Sequence, residues 1–386
     1  MAAGRFTLAV SPHLHQKGQT IERGMTDVLI ALTPAGIVAM IVFGMNAFYV
    51  MLVSVLTACL TEVVMRWVLG RKHTLRDLSA VLTGVLFAFL LPATTPLWVV
   101  AVGAFLAVGV AKELFGGLGR NIFNPALFAR VALMVSPLWL YITKFPRPFF
   151  YRTVGFFTPV SVAINNEVAG RVVYRGLFGS VYPDVVTAAT PLSLLKSGKM
   201  LATTISGPTP VGSTWVTVAG RPTFWAQFLG VHSGSLGEVS VLALAIGACW
   251  LLYRRTIDWR IPAGIFGAFL LVTLVTWNYP VFSLLGGGLW LGAFFMATDW
   301  VTSPMTRRGK WIYGVGIGLT IALIRLWSPL PEGVAIAILQ WNVLTLLIDR
   351  YVAEPRFGEV GRSWLNRLPP YPKPGKAEPD KPVPAN

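Results

Sequence analysis

Ten runs of apolar residues, joined mostly by short polar connections, fill most of this sequence. A helix needs roughly 20 apolar residues to cross a bilayer, and fewer where it is broken or shielded by its neighbours. Charged residues make up only 12% of the chain, against about 25% in soluble proteins, and the mean hydropathy is +0.64. We therefore expect an all-α polytopic membrane protein. Its ten predicted transmembrane helices cover about residues 26–43, 47–69, 77–91, 97–115, 122–142, 236–253, 261–278, 285–300, 311–327 and 333–350.

The distribution of lysine and arginine predicts how these spans are oriented. Basic residues cluster before the first span and after the second, fourth, sixth and eighth, whereas connections 44–46, 92–96, 278–283 and 328–333 contain none. Because short basic connections stay on the cytoplasmic side, we expect both termini in the cytoplasm and residues 143–235 outside it. The net charge of +16 could suggest nucleic-acid binding, but the apolar runs are too long for a basic globular domain.

The two halves of the chain have opposite predicted orientations and share a short likeness. Each half has a short third span rich in small residues, and Ala88–Pro96 is similar to the stretch from Ala293 to Pro304. Inverted repeats with interrupted helices typically hold a site between them; chance likeness of two Gly- and Pro-containing helices is the alternative. The predicted domains are a cytoplasmic segment 1–25, five-helix repeats 26–142 and 236–352, an extracytoplasmic segment 143–235 and a largely disordered cytoplasmic tail 353–386.

Ionisable side chains in apolar spans are costly to insert, so each one marks a candidate functional site. Glu113 and Asp349 lie at the predicted cytoplasmic ends of their spans, and Asp299 follows a small-residue break in the eighth span. Each of these three either handles a cation or has a structural part, such as pairing of Glu113 with the preceding lysine or an interfacial position for Asp349. Glu62 has Arg66 four residues later, and this spacing favours a self-neutralising pair on one helix face.

Several enzyme classes lack the motifs they would need. The two cysteines, Cys59 and Cys249, cannot ligate a four-cysteine iron–sulfur cluster. The four histidines are not placed with acids or cysteines at metal-ligand spacing, so no metal site is predicted. A P-loop, a nucleophile elbow and a dinucleotide-binding glycine pattern are all missing. An ATP-driven pump and a nicotinamide-binding subunit are therefore disfavoured.

The extracytoplasmic segment contains one conspicuous motif, Asp184–Leu192, which reads Asp-Val-Val-Thr-Ala-Ala-Thr-Pro-Leu. The residues alone indicate an Asp- and Thr-containing turn that leads into a short helix. Thr187 or Thr190 would then cap the helix through its side-chain oxygen.

Three segments together resemble one known family. They are Lys112–Leu127, Asp184–Leu192 and the stretch from Ile324 to Gly333 that continues to Asp349. This combination resembles the D-type subunit of the Rnf ferredoxin:NAD oxidoreductase and the related B-type subunit of the sodium-pumping NADH:quinone oxidoreductase. The likeness covers about residues 25–352, and the chain is more similar to the D-type subunit because it has no long hydrophilic N-terminal extension.

The resemblance implies a covalent flavin in the extracytoplasmic segment. In the family motif Asp-x-x-Ser/Thr-Gly-Ala-Thr, the last threonine carries FMN through a phosphoester bond. Carried over, Thr190 is the attachment point, Thr187 stands at the Ser/Thr position and Asp184 at the Asp. Ala188 replaces the motif's glycine, and alanine can enter the same turn only if its φ is negative.

The resemblance also implies a second flavin and a cation pathway inside the bundle. Non-covalent riboflavin is expected, with Asn121 and Asn124 as contacts because an amide both donates and accepts hydrogen bonds; capping of the fifth span is the equal alternative. Glu113 and Asp349 become cation-pathway candidates, followed by Asp299. The implied fold consists of two inverted repeats of five helices, in agreement with the count of spans.

The expected protein is a flavin-carrying membrane subunit of a redox-driven ion translocase, coupled to Na⁺ or H⁺. Flavin exchanges one or two electrons, and the protein binds, orients and tunes it. Expected partners are other membrane subunits, peripheral iron–sulfur and flavin subunits, and a flavin transferase; the expected location is the bacterial inner membrane. Two alternatives remain: a small-solute permease or channel of the inverted-repeat type, and a membrane scaffold without a cofactor.

Overall fold

The structure is a computed structural model. The described ranges are 20–71, 74–143, 224–230, 234–276, 280–286, 288–328 and 333–352, residue 232, and the strand residues 7–8, 14–15, 160–168, 171–176, 181–182, 217–218 and 221–222.

Helices lie in all ten apolar segments that the sequence predicts. In the first half they are α1 (Ile21–Phe43), α2 (Met45–Val68), α3 (Ser79–Phe89), α4 (Leu97–Phe105), α5 (Pro125–Val135) and α6 (Trp139–Ile142). The second half contains α7 (Phe224–Leu229), which precedes its predicted spans, then α8 (Val241–Tyr253), α9 (Arg260–Val275), α10 (Pro280–Leu285), which lies mostly in a predicted connection, α11 (Leu289–Leu291), α12 (Arg307–Trp327) and α13 (Val334–Tyr351).

The chain is therefore a mostly helical, multi-pass membrane protein. Within the described residues, four helices (α1, α2, α12 and α13) are long and apolar enough to cross a bilayer by themselves, and α3, α5, α8 and α9 are shorter apolar helices. Tryptophan side chains are exposed at helix ends, as in Trp67, Trp98, Trp259 and Trp327. Exposed tryptophans at the ends of apolar helices are typical of the two membrane–water interfaces.

Two helices widen into π-helical turns. After Phe105, α4 continues as a π-helix over Leu106–Glu113, and α11 continues as one over Gly292–Met296. The backbone N–H of Ala297 accordingly donates to the carbonyl of Gly292, five residues earlier. Such turns are rare and often occur at functional sites because they shift the side chains that follow.

The third segment of each half ends inside the bundle. Helix α3 ends at Phe89, and its last carbonyls are satisfied from the other half: the backbone N–H of Leu236 donates to Leu91 O at 3.0 Å, and that of Gly237 to Phe89 O at 2.8 Å. At membrane depth every backbone polar group needs such an internal partner. Residues from the other half thus provide hydrogen-bond partners for the broken end of α3.

Short strands occur outside the helical bundle, where the all-α prediction expected none. Antiparallel strands β1 (Thr7–Leu8) and β2 (Leu14–His15) pair near the N-terminus. Residues 143–235 contain β3 (Val160–Val168), β4 (Arg171–Gly176) and β5 (Val181–Tyr182) in one sheet, and β6 (Thr217–Val218) paired with β7 (Arg221–Pro222). The longer strands are rich in valine, whose branched side chain favours the extended backbone.

Close helix pairs depend on small residues. Helices α9 and α12 approach so closely that a Cβ added at Gly314 would lie 2.6 Å from the backbone oxygen of Ile261, and one added at Gly318 would overlap Ile265 O. Small residues let helix backbones meet in this way in membranes. Gly267, on α9, has nothing within 4 Å of an added Cβ.

We predict that Gly318→Ala lowers the free energy of unfolding by about 1–3 kcal/mol, because the added methyl group overpacks the α9–α12 contact. Gly267→Ala is the matched control, with no loss expected. Thermal unfolding of the detergent-solubilised chain measures both variants. Equal melting temperatures for the two would contradict the close backbone approach.

Candidate cofactor cavity and buried charge cluster

The segment between α4 and α5 is a tight turn built on glycine. Gly116, Gly117 and Gly119 have φ values of +119°, +89° and +91°, a region that side chains with a Cβ rarely adopt. The turn delivers Asn121 and Asn124 to the start of α5. The positive φ values thus explain why glycine occupies these three positions of the turn.

A cavity lies between the two halves next to this turn. Its volume is about 770 Å³, counted with the open space at its mouth. Asn121 and Asn124 from the first half and Asp299 from the second line it together. Three residues that the sequence singled out therefore share one cavity, although Asp299 is far from the others along the chain. Phe294 and Phe295 contribute apolar wall.

The two asparagines have different tasks. Asn124 caps α5: its side-chain oxygen accepts from the backbone N–H of Ala126 at 3.1 Å and of Leu127 at 3.4 Å, while Nδ2 donates to Met296 O at 3.3 Å. Asn121 does not cap the helix. Its Nδ2 donates to Phe123 O at 3.1 Å, and its buried Oδ1 has no hydrogen-bond partner in the described part of the chain.

An unpartnered buried oxygen is costly unless something binds there. The side chain of Asn121 is only 6% exposed and lines the cavity. The capping interpretation is therefore confirmed for Asn124 and wrong for Asn121. Asn121 therefore has an unused hydrogen-bond acceptor in the lining of the cavity.

Asp299 and Asp349 both contact the loop that follows the second π-helical turn. The hydroxyl of Thr302 donates to Asp299 Oδ2 at 3.2 Å. Asp349, which is half-buried on α13, accepts from the backbone N–H of Met305 at 3.0 Å. Only Asp299 lines the cavity, so Asp349 supports the loop that carries Asp299.

Glu113 belongs to a buried cluster of four charges, which we call the charge cluster: Glu62, Arg66, Lys112 and Glu113. Both carboxylates are 0% exposed, Lys112 is 1% and Arg66 7%. Lys112 Nζ lies 2.9 Å from Glu62 Oε2, and Arg66 Nη2 lies 3.3 Å from Glu113 Oε1. The predicted pair of Glu62 with Arg66 is present at 3.4 Å.

The charge cluster corrects the idea that Glu113 is neutralised by Lys112 beside it. Consecutive helical residues point in different directions, so the two pair with α2 in a crossed arrangement instead. Lys112 also donates to Ser79 Oγ at 2.6 Å, and Thr74 donates to Glu62 Oε1 at 2.6 Å. Two acids and two bases balance formally, which is what makes their burial tolerable.

A second cavity, of about 460 Å³ when its open space is counted, is lined by ionisable residues that the sequence reasoning missed. Arg130 and Glu238 line it, and both are buried. Arg130 donates to Ile142 O at 3.3 Å, and Glu238 Oε1 accepts from the backbone N–H of Ser235 at 2.9 Å. Both are ionisable residues within or beside apolar runs, so the rule that singled out Glu113 could have found them.

The π-helical turn of α11 and the first turn of α5 stand between the two cavities. Phe295 and Ala126 line the first cavity, whereas their neighbours Met296 and Leu127 line the second. The hydrogen bond from Asn124 to Met296 O joins these two turns.

The motif residues Asp184, Thr187 and Thr190 lie outside the described residues. Their roles remain predictions from the sequence. Within the described residues, no group of three or more His, Cys, Asp or Glu side chains could hold a metal ion.

Comparison with known proteins gives consistent matches along the chain. The model of the NQR2, RnfD, RnfE family matches residues 7–358. The chain is 36% identical to the D-type subunit of the proton-translocating ferredoxin:NAD(+) oxidoreductase complex of Clostridium ljungdahlii, over 92% of this chain and 96% of that protein. It is 37% identical to the D-type subunit of the Na(+)-translocating ferredoxin:NAD(+) oxidoreductase complex of Acetobacterium woodii, over 92% and 95%. For the D-type subunit of the ion-translocating oxidoreductase complex of Stutzerimonas stutzeri the identity is 36%, over 89% and 94%.

We predict that Gly117→Ala destabilises the protein more than Gly119→Ala. Both changes force alanine into a positive φ, which costs roughly 1–2 kcal/mol. At Gly117 the new Cβ would also lie 2.8 Å from Arg66 Nη2, whereas nothing lies within 4 Å at Gly119. Thermal unfolding of the two variants compares them. A smaller loss of stability for Gly117→Ala than for Gly119→Ala would show that the turn does not pack closely against Arg66 of the charge cluster.

Proposed function

Because the chain belongs to the NQR2, RnfD, RnfE family, we propose that it is the D-type membrane subunit of an ion-translocating ferredoxin:NAD(+) oxidoreductase complex. The observation that carries this proposal is the identity of 36–37% over nearly the full length of both partners in each comparison. One of these relatives is named for proton and the other for Na⁺ translocation, so the proposal covers either ion.

Two inverted repeats of five helices are the architecture we propose for the bundle. The reciprocal contacts of the broken segments support it. The end of α3 accepts hydrogen bonds from Leu236 and Gly237 of the second half, and the end of the α11 segment accepts one from Asn124 of the first. Inverted repeats bring interrupted helices together at the midplane in this way. The proposed sides are cytoplasmic for both termini and extracytoplasmic for residues 143–235, in a bacterial inner membrane.

The cavity suits a non-covalent flavin such as riboflavin. The unused Oδ1 of Asn121 can accept from a ring N–H, and the phenylalanine walls can pack on an aromatic face. When bound, flavin supplies one- and two-electron chemistry. Asn121 would orient the ring, and Asn124 would fix the cavity wall by capping α5. The proposed covalent FMN on Thr190, within a motif that includes Asp184 and Thr187, rests on the sequence alone.

Among the acidic candidates, Asp299 is the one that the cavity favours for cation handling. It lines the cavity, and a hydroxyl is among its partners. Glu113 is held in the charge cluster by Arg66, and Asp349 contacts a backbone N–H outside the cavity lining. Asp299 would therefore bind or release Na⁺ or H⁺ near the flavin, with the other two as supports.

Mass spectrometry of the purified chain tests the covalent cofactor. The Thr190 peptide should carry an increment of roughly 438 Da, the mass of FMN joined with loss of water. The increment should be lost in Thr190→Ala and kept in Thr203→Ala, a threonine of the same segment outside the motif. An unlabelled peptide, from cells that flavinylate a control protein, would refute the covalent cofactor and favour the permease or scaffold alternatives.

Extraction of the non-covalent flavin tests the cavity. We expect Asn121→Leu to reduce the riboflavin that acid releases per mole of chain at least severalfold, with little change in unfolding temperature, because the orphaned oxygen is removed together with its burial cost. Asn124→Ala is the comparison, and it should lower stability by about 1 kcal/mol through loss of the cap. Full flavin content in Asn121→Leu would mean that the flavin contacts lie elsewhere.

A further inference from the structure

Lys112 belongs to the cavity and to the charge cluster at once. Of the described residues that line the cavity, Lys112 is the one basic residue and Asp299 the one acidic residue. Lys112 makes its ion pair with Glu62, and its second partner, Ser79, also lines the cavity. Glu62, Arg66 and Glu113 are not part of the cavity lining.

We propose that Lys112 is a positioning residue that stabilises negative charge placed in the cavity, and that Glu62 opposes this effect by holding the Lys112 ammonium. The inference rests on the proposed function, in which the cavity holds a non-covalent flavin. It assigns the buried Lys112–Glu62 ion pair a part in setting the reduction potential of that flavin. The sequence alone predicts only a structural pairing of Glu62 with Arg66.

Distance and dielectric determine which member of the ion pair acts on charge in the cavity. Coulomb energy falls with distance and is only weakly screened in a buried site. The member of the ion pair that lines the cavity therefore acts more strongly on a charge in the cavity than the member that lies farther away. Lys112 lines the cavity and Glu62 does not, so the pair as a whole presents a net positive potential there.

The surroundings of Glu62 make the pair adjustable. Besides Lys112, Glu62 has two other partners, Arg66 Nε at 3.4 Å and the Thr74 hydroxyl at 2.6 Å. A carboxylate with two other partners is not left as an uncompensated buried charge, which would otherwise cost several kcal/mol. Lys112 can therefore respond to charge in the cavity without collapse of the charge cluster.

A redox titration of the full-length chain tests the proposal. The chain is purified in detergent in the Thr190→Ala background, so that only non-covalent flavin remains, and is titrated with dithionite under spectroscopic control. Lys112→Gln should lower the midpoint potential, Glu62→Gln should raise it, and the charge-balanced double variant should lie between Lys112→Gln and the unchanged pair. For Lys112→Gln we expect at least a tenfold loss of preference for the reduced flavin, which is about 30 mV for a two-electron couple.

Lys310→Gln is the matched control. It removes a lysine that pairs with Asp258 at 3.0 Å and does not line the cavity, so the midpoint should stay unchanged. The double variant keeps the charge cluster neutral if Lys112→Gln alone fails to fold. It should still titrate at a lower potential than the unchanged pair.

The outcomes distinguish failure of the inference about Lys112 and Glu62 from failure of the flavin assignment. Flavin bound at normal stoichiometry, with the same midpoint in the Lys112, Glu62 and double variants, would overturn the inference and leave the proposed function intact. A purified chain without any non-covalent flavin would refute the cofactor assignment, and the inference would fall with it. Opposite shifts for Lys112→Gln and Glu62→Gln would support it, since a purely structural pair gives no such change of sign.

Discussion

Charge buried in a membrane protein has to be compensated inside the protein, and the charge cluster meets this requirement with two acids and two bases. Glu62 and Arg66 come from α2, while Lys112 and Glu113 come from the π-helical end of α4. The π-helical turn presents two consecutive residues to two different partners. The glycine turn that follows then has room to pass beside Arg66, because a Cβ at Gly117 would crowd its guanidinium. Lys112 of the charge cluster also lines the cavity. The position of this part of the cavity wall thus depends on how the four charges compensate one another.

Broken helices supply the second constraint. Each half ends one helix within the bundle, and residues of the other half satisfy the exposed carbonyls. The same contacts leave cavities on either side of the α11 turn, lined by adjacent residues of the same elements. The cavities between the halves therefore form next to the places where the backbone of one half is satisfied by the other. The apolar walls and few polar groups of the first cavity are typical of a cofactor site.

Helical periodicity predicted a contact between residues close in sequence, but it could not predict contacts between residues far apart in sequence. The Glu62–Arg66 pair follows from a spacing of four residues and is present. The Lys112–Glu62 pair joins positions fifty residues apart, and no periodicity encodes such a contact. Apolar runs located the helices well, but hydropathy cannot show a π-helical turn, because the turn changes hydrogen bonding and leaves composition unaltered. Asn121 and Asp299 line one cavity because of how the two halves pack. Neither periodicity nor hydropathy encodes that packing.

Helix α1 has its main partners in the second half of the sequence. Asp27 of α1 pairs with Arg254 at 3.2 Å, Ala31 meets the backbone of α8 at Gly247, and Gly24 lies against the ring of Trp300. During synthesis α1 enters the membrane long before any of these partners exists. Until Arg254 is made, the carboxyl of Asp27 lacks this ion pair, and burying it alone would be costly. Docking of α1 against α8 therefore has to wait until the second half is inserted.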